Sequence, residues 1–188
     1  MPRIIAGQWR GRVIKAPEGG DTRPTGERAR EALMSMLAAD LSGARALDLF
    51  AGSGALGLEA LSRGAASAVF VDASRKASAI LASNIALLGA GERSRLLTMD
   101  ALAALRVLAA DGDRFDIVFI DPPYARDLYR PALELLLRRG LIHPGGIACV
   151  ESQAPVDAPG YRVLKDKRYG RAHIRLITPD AADTEVPE

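Results

Sequence analysis

The chain has 188 residues, a hydrophobic share of 48%, a charged share of 26% and a formal net charge of +2, which predicts one soluble domain with a full core. Its lone Cys149 excludes an internal disulfide and points to a reducing compartment, and with only His143 and His173 beside it a structural zinc site is not expected. The start, Met1-Pro-Arg-Ile-Ile5, has no apolar signal core, and no run approaches membrane-spanning length; the expectation is a cytoplasmic protein without membrane or metal partners.

In chain order, Arg3 to Ala6 and Arg12 to Lys15 read as two short strands joined through Gly7-Gln-Trp-Arg-Gly11, a hairpin too small to stand alone. It forms the expected N-terminal β-hairpin extension, residues 1–20, and must grip something. Trp9 packs it against the body in the simplest reading. Asp21-Thr-Arg-Pro-Thr25 then leads into a helix over about 27–38, with Ala29, Leu33, Met36 and Leu37 on one face.

An apolar strand over 44–50 runs into Gly52-Ser-Gly54-Ala-Leu-Gly57 and a helix over 55–63, the context a nucleotide-binding glycine loop requires. Gly52 and Gly54 allow a sharp turn and close ligand approach, and Gly57 lets the helix pack near the strand. The next strand, 67–72, ends at Asp72, about twenty residues past the first glycine and placed to accept from ribose hydroxyls. Both NAD and S-adenosylmethionine carry such a ribose. Asp48, just before the glycines, would repel a pyrophosphate and attract the ammonium of a methionine moiety; its duller role is to brace the loop. A helix over 74–88, a strand over 94–98 and a helix over 101–110 follow, with Asp100 as the last one's N-cap.

The strand Phe115–Ile120 ends in Asp121-Pro122-Pro123-Tyr124. Two prolines make a stiff corner with unpaired carbonyls. The Asp121 carboxylate and the Pro122 carbonyl can each accept a hydrogen from an exocyclic amine, freeing its lone pair for attack, while Tyr124 stacks on the base. A strand-ending turn is the bland alternative, and the glycine loop decides against it. Asp127 caps a helix over 128–138 and Gly140 closes it; a strand over 146–151 containing a buried Cys149 precedes Glu151, which reads as a surface charge. Strands over 161–165 and 172–177 form a terminal hairpin. Alternating βα units imply a parallel sheet with its ligands beyond the carboxyl ends of the strands.

Residues 179–188 carry four acidic and no basic side chains, so the rest of the chain stands at +6 and the tail reads as disordered. The positive excess gathers at Arg3, Arg10, Arg12 and Lys15, and at Arg162, Lys165, Lys167, Arg168, Arg171 and Arg175. Flanking a nucleobase-shaped site, these two clusters suit a phosphate backbone, with Arg10, Arg12, Lys167 and Arg168 as the RNA-contacting candidates.

The set Arg3-Ile-Ile-x-Gly-x-Trp-Arg-Gly-Arg12, Arg23-Pro-Thr25, Asp48-Leu-Phe-Ala-Gly-Ser-Gly-Ala-Leu-Gly-Leu-Glu-Ala60, Asp121-Pro-Pro-Tyr124 and Val150-Glu-Ser152 resembles the RsmD family, over residues 3 to about 178. These enzymes methylate the 2-amino group of one guanine in 16S ribosomal RNA. The resemblance implies an α/β class I methyltransferase (Rossmann-like) fold over 21–178, with a seven-stranded sheet whose last strand is antiparallel. It implies S-adenosyl-L-methionine as cofactor, held by Thr25, Asp48, Gly52, Gly54, Asp72, Asp100 and Ala101, and a base held by Asp121, Pro122 and Tyr124. Tyr124 stands where other members carry Phe; either ring stacks. The implied partner is 16S RNA or a small-subunit assembly particle. Two other functions remain open on the residues: methylation of an adenine amino group in DNA or RNA, and nucleotide binding or dehydrogenation without methyl transfer.

Overall fold

A computed structural model describes residues 1–16, 24–123 and 128–180, with the side chains of Pro24 and Thr25 outside that description. Helix α1 (Pro24–Met36) is followed by β1 (Arg45–Asp48), α2 (Ala55–Ser62), β2 (Ser67–Val71), α3 (Arg75–Leu87), β3 (Ser94–Leu97), α4 (Ala101–Ala110), β4 (Phe115–Ile120), α5 (Tyr129–Arg138), β5 (Ile142–Ser152), β6 (Tyr161–Tyr169) and β7 (Ala172–Pro179). The strands form one sheet in the order β3-β2-β1-β4-β5-β7-β6. Pairing is parallel from β3 through β5, and β7 runs antiparallel to both neighbours. The reversed last strand and the seven-strand count match the expectation.

The strands β2 and β4 are short, mostly apolar and buried on both faces, as parallel strands covered by helices must be, and β1 buries Ala46, Leu47 and Asp48 between them. One core cluster, with Leu33, Leu58, Phe70 and Phe119, lies beneath α1, α2 and α3; the other, with Leu47, Leu105, Val118 and Leu136, lies beneath α4 and α5. Cys149 is buried in β5, where desolvation pushes its thiol pKa up and leaves it inert. Asp100 caps α4 by accepting from Leu102 N and Ala103 N, and Gly140, at φ +59°, follows the last residues of α5. Asp127 lies outside the described residues.

Three expectations change in extent. The N-terminal pairing is shorter than expected: Arg3 bridges Val13 antiparallel, with Ile14 N donating to the Pro2 carbonyl, Ile4 N to the Arg12 carbonyl and Gly11 N to the Ile4 carbonyl. Beyond it the backbone turns to the body, Ile5 N and Ala6 N donating to the Glu59 carboxylate and Gln8 N to the Ser62 carbonyl. Second, β6 extends to Tyr169 although its residues from Arg162 to Arg168 are all exposed, because an edge strand takes its order from backbone pairing with β7 and not from side-chain alternation. Third, β7 reaches Pro179, and Asp180 N donates to the Gly160 carbonyl, so the ordered body continues into the segment expected as tail; residues 181–188 lie outside the description. No helix among the described residues is long and apolar enough to cross a membrane.

Candidate active site

A cleft of about 510 Å³ opens where β1, β2, β3 and β4 end, the place this architecture reserves for ligands. One side is lined by Phe50, Gly52, Asp72, Asp100 and Ala101; the other by Arg30, Asp121, Pro122, Pro123 and Glu151. Two motifs separated by some seventy residues of sequence therefore share one cavity. The central strands put them there, since Asp48 pairs with Phe119 two residues before Asp121.

The glycine-loop side is organised by backbone donors. Gly52, at φ +53°, leaves β1 in a left-handed turn, and its N–H donates to Asp72 Oδ2 at 2.8 Å. Ser74 N donates to Asp72 Oδ1 at 2.8 Å, so both carboxylate oxygens are fixed in direction while each keeps a lone pair for a ligand hydroxyl. Asp48 is 3% exposed and accepts from Gly57 N at 2.9 Å, the bracing role. Burial pushes its pKa up to about 7, the Asp72 charge adds to the rise, and the Gly57 N–H opposes it. Gly54 stands at φ +81°, a left-handed backbone that favours glycine, and a Cβ there would meet the end of the Leu81 side chain at 2.2 Å. Gly57 behaves as expected: a Cβ would meet the Phe70 ring of β2 at 2.3 Å.

On the other side, Asp121 is half-buried at the end of β4, and Pro122 is buried beside it. Burial holds the Asp121 carboxyl proton well above the usual carboxylate range, with Glu151 and Asp48 adding like-charge repulsion. Tyr124 and the side chain of Thr25 lie outside the described residues. Glu151, read from sequence as a surface charge, lines the cleft instead. The strand register explains why: Ile120 of β4 pairs with Val150 of β5, and the next residue on each strand is a carboxylate.

Arg30 also escaped the sequence reading. It is 8% exposed, lines the cleft, and its Nη2 donates to the Arg3 carbonyl at 2.7 Å. The cost of desolvation lowers its pKa from the ordinary value, against the pull of Glu59, Glu27 and Glu151. Its one sequence signal is a charged residue on the apolar side of α1, next to Ala29 and Leu33.

The N-terminal segment finds its grip in polar side chains of the helices. Glu59, fully buried in α2, accepts from Ile5 N at 2.7 Å, Ala6 N at 3.0 Å and Arg63 Nε at 2.8 Å. Ser62 Oγ donates to the Ala6 carbonyl and accepts from Trp9 N, while Asn84 of α3 bonds Lys15 N, the Lys15 carbonyl and the Ser53 carbonyl. The Arg93 guanidinium covers Trp9 at 5.2 Å, which confirms the packing role of that ring. Pro2 is carried into the cleft wall as a result.

Arg10, Arg12, Lys167 and Arg168 are exposed. Arg10 lines a shallow groove with Arg3 and Arg28 that shares Glu27 with the main cleft. Lys167 and Arg168 stand on β6, in register through Ile174 and His173 of β7 with Glu151 and Ser152 of β5. That is the cleft end of the sheet, two strand spacings or roughly 10 Å away. Three members of the second cluster make bonds within the chain: Arg175 is paired with Asp166 at 2.8 Å, Lys165 Nζ donates to the Met36 carbonyl, and Arg168 Nε donates to the nearby Gly170 carbonyl at 3.2 Å.

The family model described as "Conserved hypothetical protein 95" matches residues 2–178. The ribosomal RNA small subunit methyltransferase D of Escherichia coli strain K12 is 39% identical over 183 residues, 95% of this chain and 90% of that protein. This chain belongs to the RsmD family. A putative rRNA methyltransferase of Bacillus subtilis, YlbH, is 36% identical over 84% of this chain and 85% of its own length. Among solved structures, the putative methyltransferase yhhF from Escherichia coli superposes with a TM-score of 0.85 at 40% identity, covering 96% of this chain and 98% of its own. The class I methyltransferase fold of the RsmD family is thus the fold of this chain.

Proposed function

We propose that this RsmD-family chain transfers a methyl group from S-adenosylmethionine to the exocyclic 2-amino group of a guanine in 16S ribosomal RNA. The observation that carries the reading is the meeting of the two motifs, Gly52 and Asp72 on one wall of a single cleft and Asp121 and Pro122 on the other. The cofactor fits this wall: Asp72 and Asp100 at the ends of β2 and β3 offer acceptors for hydroxyls and the adenine amine, Asp48 adds a carboxylate behind the glycine turn, and Leu49, Phe50 and Ala101 supply apolar surface. When bound, it supplies an electrophilic methyl group.

The residues of the chain then divide the work. Asp72 orients the ribose, Asp48 faces the ammonium, and Asp100 with Ala101 meets the adenine. Asp121 and the Pro122 carbonyl accept the two amino hydrogens of a base flipped into the cleft, and Tyr124 stacks on it. Their contribution is positioning and oriented acceptance, with no covalent enzyme intermediate. The raised proton affinity of Asp121 also equips it to take the proton released when the amine nitrogen becomes cationic. Arg10 and Arg12 on one side, with Lys167 and Arg168 on the other, hold phosphates at the rim.

The decisive experiment is a map of modified nucleotides in 16S RNA from a strain lacking the gene. One guanine should lose its 2-amino methyl group and regain it on complementation; an unchanged map would overturn the reading. Calorimetric titration should show binding of S-adenosylmethionine and none of NAD.

A further inference from the structure

The proposed mechanism uses only the 2-amino group of the base, yet the base-side wall of the cleft holds two further charged groups. Glu151 stands beside Asp121, one step beyond the Ile120–Val150 pair, and both line the cleft. Arg30 completes the row. It lines the same cleft, and the bond from its Nη2 to the Arg3 carbonyl fixes the guanidinium in the wall. Strand order sets the row: Asp121 follows β4, Glu151 lies on the neighbouring β5, and α1, which carries Arg30, packs against β7 on the far side of β5. A guanidinium held in a cleft wall offers a fixed cationic donor to an acceptor that enters.

The order acceptor, acceptor, donor is complementary to one purine edge. Along its Watson–Crick edge guanine presents the 2-amino donor, the N1–H donor and the O6 acceptor, whereas adenine presents an acceptor at N1 and a donor at position 6. We propose that Glu151 accepts the N1 proton of the target guanine and that the Arg30 guanidinium donates to its O6, so that these two residues select guanine while Asp121 handles the reacting amine. The inference rests on the guanine 2-amino reading above and extends it to specificity. An ionised carboxylate opposite an unprotonated N1, and a guanidinium opposite a 6-amino group, both repel; rejection of the wrong base therefore comes from charges facing the wrong partner.

The test uses the full-length protein and small subunits reconstituted with 16S RNA carrying either guanine or 2,6-diaminopurine at the mapped target. Both bases offer a 2-amino nucleophile, and they differ only in what Glu151 and Arg30 would read. Wild type should methylate guanine faster by on the order of 100-fold or more in single turnover. Glu151→Gln, whose amide can donate to an unprotonated N1, should slow guanine methylation by roughly 10- to 100-fold and bring the two bases within about 10-fold of each other. Arg30→Gln should narrow the preference in the same direction, with S-adenosylmethionine affinity retained and the fold checked by thermal melting. A wild-type preference preserved in folded Glu151→Gln overturns the proposal, as does an Arg30→Gln protein that loses cofactor affinity and keeps its base preference, which would place Arg30 at the methionine carboxylate. If wild type methylates neither base, the failure belongs to the proposed function itself.

Discussion

The two walls of the cleft are built on opposite plans. On the glycine-loop wall every carboxylate is tied down by backbone N–H groups: Asp72 by Gly52 and Ser74, Asp48 by Gly57, Asp100 by Leu102 and Ala103. The base-side wall gathers Asp121, Glu151 and Arg30 from three different elements, and burial with the like charge of Glu151 raises the proton affinity of Asp121. A wall wired to the backbone is preorganised for one ligand. A wall of charged side chains from separate elements responds to the charge of what enters it.

The largest expected effect breaks the base-side wall alone. Asp121→Ala should lower the single-turnover methylation rate by on the order of 10²- to 10⁴-fold, with S-adenosylmethionine affinity near wild type by calorimetry; full activity would sink the amine-activation role. Tyr124→Phe should be mild by the same assay, since stacking needs the ring and not the hydroxyl.

Breaking the other wall should invert that pattern. Asp72→Ala removes a ligand acceptor and also the anchor of Gly52, and should weaken cofactor binding by on the order of 1–3 kcal/mol. Unchanged affinity in a folded variant would refute the assignment. Gly54→Val should show its loss first as lowered thermal stability, because the added side chain meets Leu81 and the backbone is left-handed.

Asp48 sharpens the comparison through pH. Its folded pKa of about 7 lies above the ordinary carboxylate value of 3.8, so the folded state binds the proton more tightly and this residue's contribution to stability falls as pH rises from about 4 through about 7. Asp121 acts in the same direction. Asp48→Asn should flatten that slope in cofactor-free protein, with a gain on the order of 2–4 kcal/mol at pH 8 relative to pH 4 in urea titrations; a slope equal to wild type would show that Asp48 is not the titrating group.

The smallest effects belong to the rim. Replacing Arg10 and Arg12 together, or Lys167 and Arg168 together, should leave cofactor binding intact and flatten the salt dependence of RNA binding by roughly one log–log unit for each phosphate no longer neutralised. A salt slope unchanged in both double variants would remove the rim from the RNA path.

The glycine-loop wall was legible in the sequence because its parts are local: a strand, a turn of glycines and the aspartate after the next strand lie within the 28 residues from Arg45 to Asp72, and hydrophobic periodicity sets where each strand ends. The Asp121-Pro122 corner was legible for the same reason. Glu151 was misread because one carboxylate after an apolar strand looks the same whether the strand lies at the sheet's edge or its centre, and only the β4–β5 register decides. The anchoring of the N-terminal segment was not legible because Ile5 N, Ala6 N and Gln8 N bond to Glu59 and Ser62, more than fifty residues away, and nothing in Arg3–Lys15 announces those partners.

By itself the sequence determined the βα alternation, the nucleotide-type turn, the Asp-Pro-Pro corner and the two basic ends, all properties of short contiguous stretches governed by side-chain period, backbone freedom and charge. Tertiary structure alone decided which groups face one another: the placing of Glu151 beside Asp121, the burial of Arg30, the raised proton affinity of Asp48, and the pinning of the N-terminal segment to α2 and α3. Those outcomes depend on strand register and desolvation, which arise only when distant segments pack and exclude water.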